Sequence, residues 1–186
     1  MRKLIYFIAF LGLLSCKNNA QDNYRLLTEY KTKADSATAI AQQTLLGKVA
    51  SSIKKGGTTY AVDFCAVEAM PITDSLSKHF QLKIGRISDK NRNPKNNLST
   101  PTDKAAFALF SENKTLIDTL LPIESPVYYK RINLAMPACL KCHGNPAIDI
   151  LPSTLQLIQE KYPKDLATNY QLNDLRGLWK VEFPKE

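Results

Sequence analysis

The sequence predicts an α+β domain built on an antiparallel sheet, and three observations carry the prediction. Helical periodicity fills the first part of the chain after an apolar leader. Short alternating stretches suited to strands come later, and there helices and strands are mixed without the regular βα repeat of a parallel sheet. The composition is that of a globular protein, with 44% hydrophobic and 23% charged residues. Roughly 170 residues beyond the leader suffice for one core that buries about 70% of the unfolded surface. Internal repeats and low-complexity tracts are absent from the sequence.

The elements follow in order. Residues 24–55 read as one long helix, because Leu26, Leu27, Tyr30, Ala34, Ala37, Ala41, Leu45, Val49 and Ile53 recur at three- and four-residue steps. Lys54 and Lys55 suit its last turn, and Gly56-Gly57 ends it. A second helix over 58–69 carries Cys65, and Pro71 interrupts before a further helical turn to about Lys78. "QLKIGRIS" alternates like a half-buried strand, and "DKNRNPKNNLSTPT" is a polar loop with Asn93-Pro94 as a turn. Thr102 or Asp103 caps a helix running to about Ser111. "SPVYYKRINL" is a strand, "PSTLQLIQEKY" a short helix with a capping serine, and "RGLWKVEF" a terminal strand.

The leader bears on location. Arg2 and Lys3 precede an apolar run from Leu4 to Leu14, long enough for a signal h-region and too short for a spanning helix of about 20 residues. It ends in "LLSC", which resembles a lipoprotein lipobox, with Leu14 a departure from the usual pattern. The bland alternative is an ordinary cleavable signal beside an incidental cysteine. The expected organisation is a signal peptide over 1–15, a lipidated Cys16 with polar tether over 16–23, and one domain over 24–186. Acyl chains contribute about 0.8 kcal/mol per buried CH₂, so the mature protein is expected on a membrane outside the cytoplasm. Lys17 and Asn18 lack the aspartate that retains lipoproteins at the inner membrane, which favours the outer one.

The formal charge is +8, or +6 once Arg2 and Lys3 leave with the signal. The local excess in "KHFQLKIGRISDKNRNPK" suits either a solvated face or contact with anionic groups. Nucleic acid is not an expected partner for an exported chain.

Two of the four cysteines stand in "MPACLKCHGNP", as Cys139, Cys142 and His143 in C-x-x-C-H spacing. Two thiols so spaced can add across the vinyl groups of a haem, and the next residue's imidazole then reaches the iron. A redox pair would need a strand before the motif and a helix opening at it. Zinc would need two further ligands nearby, and His79 is the chain's other histidine. Covalent haem c is therefore the expected cofactor. With Cys16 given to lipid, Cys65 is left over on an apolar segment. It is either an inert small hydrophobe or a candidate sixth ligand beside His79, Met70, Met136 and water.

The chain resembles a family of extracytoplasmic single-haem c-type domains of PAS-like fold, found alone and as sensor regions of histidine kinases. "AVDFCAVEAMPI", "IGRISDKNRNPKNN", "PACLKCHGNP" and "YPKDLATNYQLNDLRGLWKVEFP" carry the resemblance, in that order, over residues 61–183. It implies a PAS-like antiparallel sheet with flanking helices and a long N-terminal helix, and iron held by His143 and Cys65. A thiolate at Cys65 would favour ferric iron and lower the potential, and His143 should be neutral with its second nitrogen bonded to a carbonyl or carboxylate. Arg86 and Arg92 are candidates for the haem propionates, since guanidinium grips carboxylate in a fork. Tyr128, Tyr129, Trp179 and Phe183 are candidates for packing on the porphyrin, although plain core packing would also explain each.

The expected function is redox or gas sensing through a separate signalling or redox protein partner. The alternative is a one-electron carrier or an accessory haem subunit of a respiratory or reductase system. An enzyme is not expected: peroxide chemistry needs acid–base residues at a vacant position, and His79 has no evident partner.

Overall fold

The computed structural model describes residues 19–185, with side chains from residue 21 onward. The apolar leader, the lipobox and Cys16 lie outside the described residues.

Helix α1 spans Asn19–Phe80 as two arms joined at a kink, where Gly56 (φ −153°, ψ 24°) and Gly57 (φ 74°, ψ −168°) leave helical geometry. The positive φ at Gly57 is one that side chains disfavour, so the glycine pair ends the first arm as expected. Two other expectations for this helix need correction. The helix starts at Asn19 rather than at residue 24, with Asp22 in the first turn complementing the positive end of the helix. Pro71 does not interrupt the second arm, which continues to Phe80. The hydrogen bond it forfeits would have gone to the Val67 carbonyl on the outer side of the helix, where Val67 is 59% exposed and water can serve.

The strands are β1 (Lys83–Ile87), β2 (Asp118–Leu121), β3 (Val127–Asn133) and β4 (Leu175–Glu182). They form one antiparallel sheet in the order β1-β4-β3-β2. β2 is absent from the sequence reading because all four of its residues are half-buried, which erases the alternation that marks a strand. The remaining helices are α2 (Pro101–Glu112), α3 (Pro137–His143) and α4 (Pro152–Lys161). α2 is capped by Thr100 rather than Thr102 or Asp103: the Thr100 hydroxyl accepts from the Asp103 N–H, and the Asp103 carboxylate accepts from the Thr100 N–H. α4 has no serine cap, since Ser153 already lies inside the helix behind Leu151 and Pro152.

The sheet lies between α1 and α2, so both of its faces are buried. Toward α1 it presents Ile84, Tyr128, Trp179 and Val181, which meet Ala34, Ala37 and Ala41. Alanines there let the helix axis approach the sheet closely. Toward α2 it presents Ile87, Val127, Tyr129 and Leu178, which meet Ala106, Phe107 and Phe110. This is the α+β, PAS-like arrangement with flanking helices and a long N-terminal helix. Among the described residues no helix is long and apolar enough to cross a membrane.

Candidate functional site

Along α1 the inward stripe changes size, from Ala34, Ala37 and Ala41 to Leu45, Val49 and Ile53. Leu45 still packs with the sheet core, and from it onward these larger residues line a cavity of about 250 Å³. Its walls come from α1 on both sides of the kink, the ends of β1, β3 and β4, the loop after β1, and α3. Cys65, Arg86, Arg92, Cys139, Cys142 and His143 all line it, so six residues from three separate stretches of the chain converge on one cleft.

Helix α3 supplies three of them. Its Pro137 at the first turn and the Gly144 N–H bonded to the Leu140 carbonyl delimit a short helix that the sequence reading does not contain. Helical spacing sets Cys139 and Cys142 on one face, one turn apart. Both are half-buried, and Cys65, Cys139 and Cys142 are all free thiols. Burial pushes the Cys142 thiol pKa up, against a downward pull from Arg92.

The His143 ring is fixed by an Nδ1 contact of 2.8 Å with the Ala167 carbonyl. A carbonyl only accepts, so Nδ1 carries the proton and the Nε2 lone pair is left for a ligand. Burial lowers the His143 pKa well below the ordinary imidazole value, and the positive charges of Arg92 and Arg176 lower it further. The imidazole is therefore neutral, the form that binds metals.

Arg92 has a different surrounding from the one expected of a free cation. Its Nε donates to Asp165 Oδ1 at 3.1 Å and its Nη2 to Asp165 Oδ2 at 3.2 Å, a two-point ion pair. Nη2 also donates to the carbonyls of Cys142 at 2.6 Å and Ala167 at 3.3 Å. One guanidinium thus ties the end of α3 to the loop that holds His143. Arg86, by contrast, makes no hydrogen bond or ion pair among the described residues. It lies over the Trp179 ring, 5.7 Å from the centroid.

Cys65 sits on the second arm of α1, half-buried; burial raises its thiol pKa while Arg86 and Arg92 pull it down. The other candidates for a sixth ligand are elsewhere. His79 is exposed and stacks edge-on against Phe80, and neither it nor Met70 nor Met136 lines the cavity. Of the four aromatic candidates, Trp179 alone lines it, with its indole N–H donating to Gln42 Oε1 at 2.8 Å. Tyr128 and Tyr129 are fully buried and donate to Asp35 and Asp103, and Phe183 packs on Tyr30.

Sequence reasoning missed Arg176, Asp165 and the Ala167 carbonyl. Arg176 also lines the cavity, and its Nη1 donates to Ser88 Oγ and the Lys90 carbonyl at 3.2 Å each. The signal for it is the bulge described below, which depends on strand register and is invisible in one sequence. Among the described residues, no three His, Cys, Asp or Glu side chains gather into a cluster able to hold a metal ion.

Fold and site together define an α+β domain with a thiol, imidazole and guanidinium cleft between a kinked helix and the end of its sheet. The chain belongs to the Tll0287-like family, whose model matches residues 14–184. It is similar to a solved structure described as that of the cyanobacterial heme-protein Tll0287, with 26% identity and a TM-score of 0.67 over 85% of this chain and 96% of that one. No curated protein matches it.

Proposed function

We propose that the chain is an extracytoplasmic, membrane-anchored haem protein that acts in redox or gas sensing. Cys139 and Cys142 would attach one haem c covalently, with His143 and Cys65 as axial ligands and Cys16 carrying the lipid. The residues of the cleft fit that cofactor. Two thiols one turn apart on a helix suit two vinyl groups, and the adjoining imidazole has its second nitrogen tied by Ala167. The donors are too few for a bare cation among the described residues, as suits an iron that brings four porphyrin nitrogens with it. The heme protein of similar structure supports the same reading. Held by these residues, a haem would supply one-electron chemistry, and a small ligand would reach its iron only where His143 or Cys65 let go.

The observation that carries sensing is the position of Cys65. It lies on the second arm of α1, and the same helix runs through the glycine kink toward the end of the chain that bears Cys16. Making or losing a Cys65 bond would act directly on that arm, and a separate signalling or redox partner would read the change. A second reading, the one-electron carrier, draws on the half-burial of Cys139 and Cys142, which would leave the attached edge of the cofactor near the surface.

The test uses protein matured for c-type haem. Haem should stay with the polypeptide through acid-acetone extraction, and replacing both Cys139 and Cys142 by alanine should release it. Cys65→Ala should abolish thiolate features in the ferric spectrum and raise the potential while haem remains attached. His79→Ala should change neither. Rapid CO binding by the reduced wild type would support sensing, and exclusion of CO would support the carrier.

A further inference from the structure

The guanidiniums of the cleft outnumber its acids. Arg86, Arg92 and Arg176 all line the cavity, and among the described residues the one carboxylate paired with any of them is Asp165, which belongs to Arg92. Taking charge out of water without a counter-charge is costly, and a fold rarely does it without a use.

Arg176 reaches the cleft through an irregularity in the sheet. In the β3–β4 ladder Ile132 faces Gly177 and Asn133 faces Leu175, which leaves Arg176 as an extra residue on β4. Such a bulge re-aims a side chain. Here it sends Arg176 to the same cavity as Arg86 on β1. Gly177 makes the bulge possible, because a Cβ there would come within 2.6 Å of the Ile87 carbonyl oxygen. Tyr170 lies 5.4 Å below the Arg176 guanidinium, measured to the ring centroid, and Ser88 and the Lys90 carbonyl hold one of its nitrogens. None of these contacts neutralises it. Lys90, over Tyr170 and bonded to the Thr168 carbonyl, adds a further positive charge at this end. Asp89, beside Lys90, contacts Ser88 and the Lys90 N–H instead, and Asp174, two residues before Arg176, accepts from the Gln171 N–H.

We propose that Arg86 and Arg176 form a cradle for a pair of carboxylates, the two propionates of the porphyrin, while Arg92 serves only to position His143. This rests on the haem reading and refines it: it replaces Arg92 by Arg176 among the residues that face the anion. Burial lowers the pKa of both guanidiniums, in keeping with cations that have no acid paired to them among the described residues.

Arg86 gives the cleaner test because its removal breaks no hydrogen bond within the described protein. In chain made without haem maturation, Arg86→Gln should raise the melting temperature, since a half-buried charge with no paired acid has gone. In matured protein, Arg86→Gln and Arg176→Gln should each shift the propionate bending bands in the resonance Raman spectrum and lower the reduction potential. Arg176→Lys, which keeps the charge, should restore the potential. Arg92→Gln should instead alter the iron–histidine band. Because Arg92 with Asp165, Tyr162 and Tyr170 also face this end, potentials are compared at one pH. If Arg86→Gln and Arg176→Gln carry covalent haem with wild-type propionate bands and potential, the cradle is wrong and the haem reading stands. A matured wild type that holds no haem overturns both.

Discussion

The two faces of the sheet treat buried charge in opposite ways. Toward α2, Asp103 is fully buried, yet every part of it is answered: Lys180 Nζ at 3.0 Å, the Tyr129 hydroxyl at 2.8 Å, the Thr100 N–H at 3.2 Å and the Ser99 hydroxyl at 3.3 Å. Toward α1, the cleft keeps two guanidiniums without a paired acid and three thiols without a disulfide among the described residues. A self-satisfied polar centre specifies a fold. A centre left unsatisfied by its own protein asks for something else to complete it. The contrast therefore separates residues that build the domain from residues available for binding.

The largest effect should come from the satisfied face. Asp103→Ala removes the capping box and leaves Lys180, whose side chain is 12% exposed, with the longer 3.5 Å contact to Glu182 as its ion pair. Loss of one partner of a buried pair costs about 3 kcal/mol or more. Urea unfolding should show that loss, whereas Arg86→Gln in the haem-free chain should show none. Equal losses from both would erase the distinction between the faces.

How much of this could be read in advance depends on whether local or distant residues decide it. The helical stripe of α1, the Gly56-Gly57 break and three of four strands follow from spacing along the chain, so the sequence reading contains them. β2 and α3 do not, since β2 lacks alternation and α3 is held by Pro137 and by contacts made far away, above all Arg92 on the Cys142 carbonyl. Pro71 misled because the chain's local rule ignores which side of a helix faces water. The convergence of Cys65, Arg86, Arg92, Cys139, Cys142 and His143 was legible as a motif and a resemblance. The division of labour proposed for the arginines was not, since Asp165 and the bulge at Arg176 lie remote in sequence from Arg92 and Arg86.

A smaller effect should come from the one satisfied ion pair inside the cleft. Asp165→Asn keeps shape and one acceptor but removes the charge that holds Arg92, and it weakens the cap on the Ala167 N–H, now 2.9 Å from Asp165 Oδ1. We expect a loss of about 2 kcal/mol, below that of Asp103→Ala because Arg92 retains the Cys142 and Ala167 carbonyls. Thermal or urea unfolding measures it. In matured protein the same variant should disturb the iron–histidine band, since the Ala167 carbonyl orients the His143 ring. A loss as large as that of Asp103→Ala would mean that the cleft-side pair is as structural as its counterpart.

The gentlest way to sharpen the comparison is acid. Burial alone would raise the Asp103 pKa, but the hydrogen bonds from Lys180, Tyr129 and Thr100 together outweigh it and hold the carboxyl below its ordinary value. A carboxyl whose pKa is lower in the folded than in the unfolded state stabilises the fold at any pH above the unfolded value, about 3.9. That contribution is lost as pH falls through the folded value. Unfolding free energy should therefore be flat from neutrality down to about pH 5 with respect to this group, then fall. Asp103→Asn should flatten the fall without abolishing it, because Asp35, held low chiefly by its hydrogen bond from Lys130 and also by Tyr128, titrates in the same direction. The effect should be smaller than that of Asp103→Ala, since a protonated Asp103 still offers oxygen to Tyr129 and Thr100. Arg86 and Arg176 stay charged throughout this range, so their removal should displace the whole curve and leave its acid limb unchanged. An acid limb that vanishes in Arg86→Gln and persists in Asp103→Asn would reverse the roles assigned to the two faces.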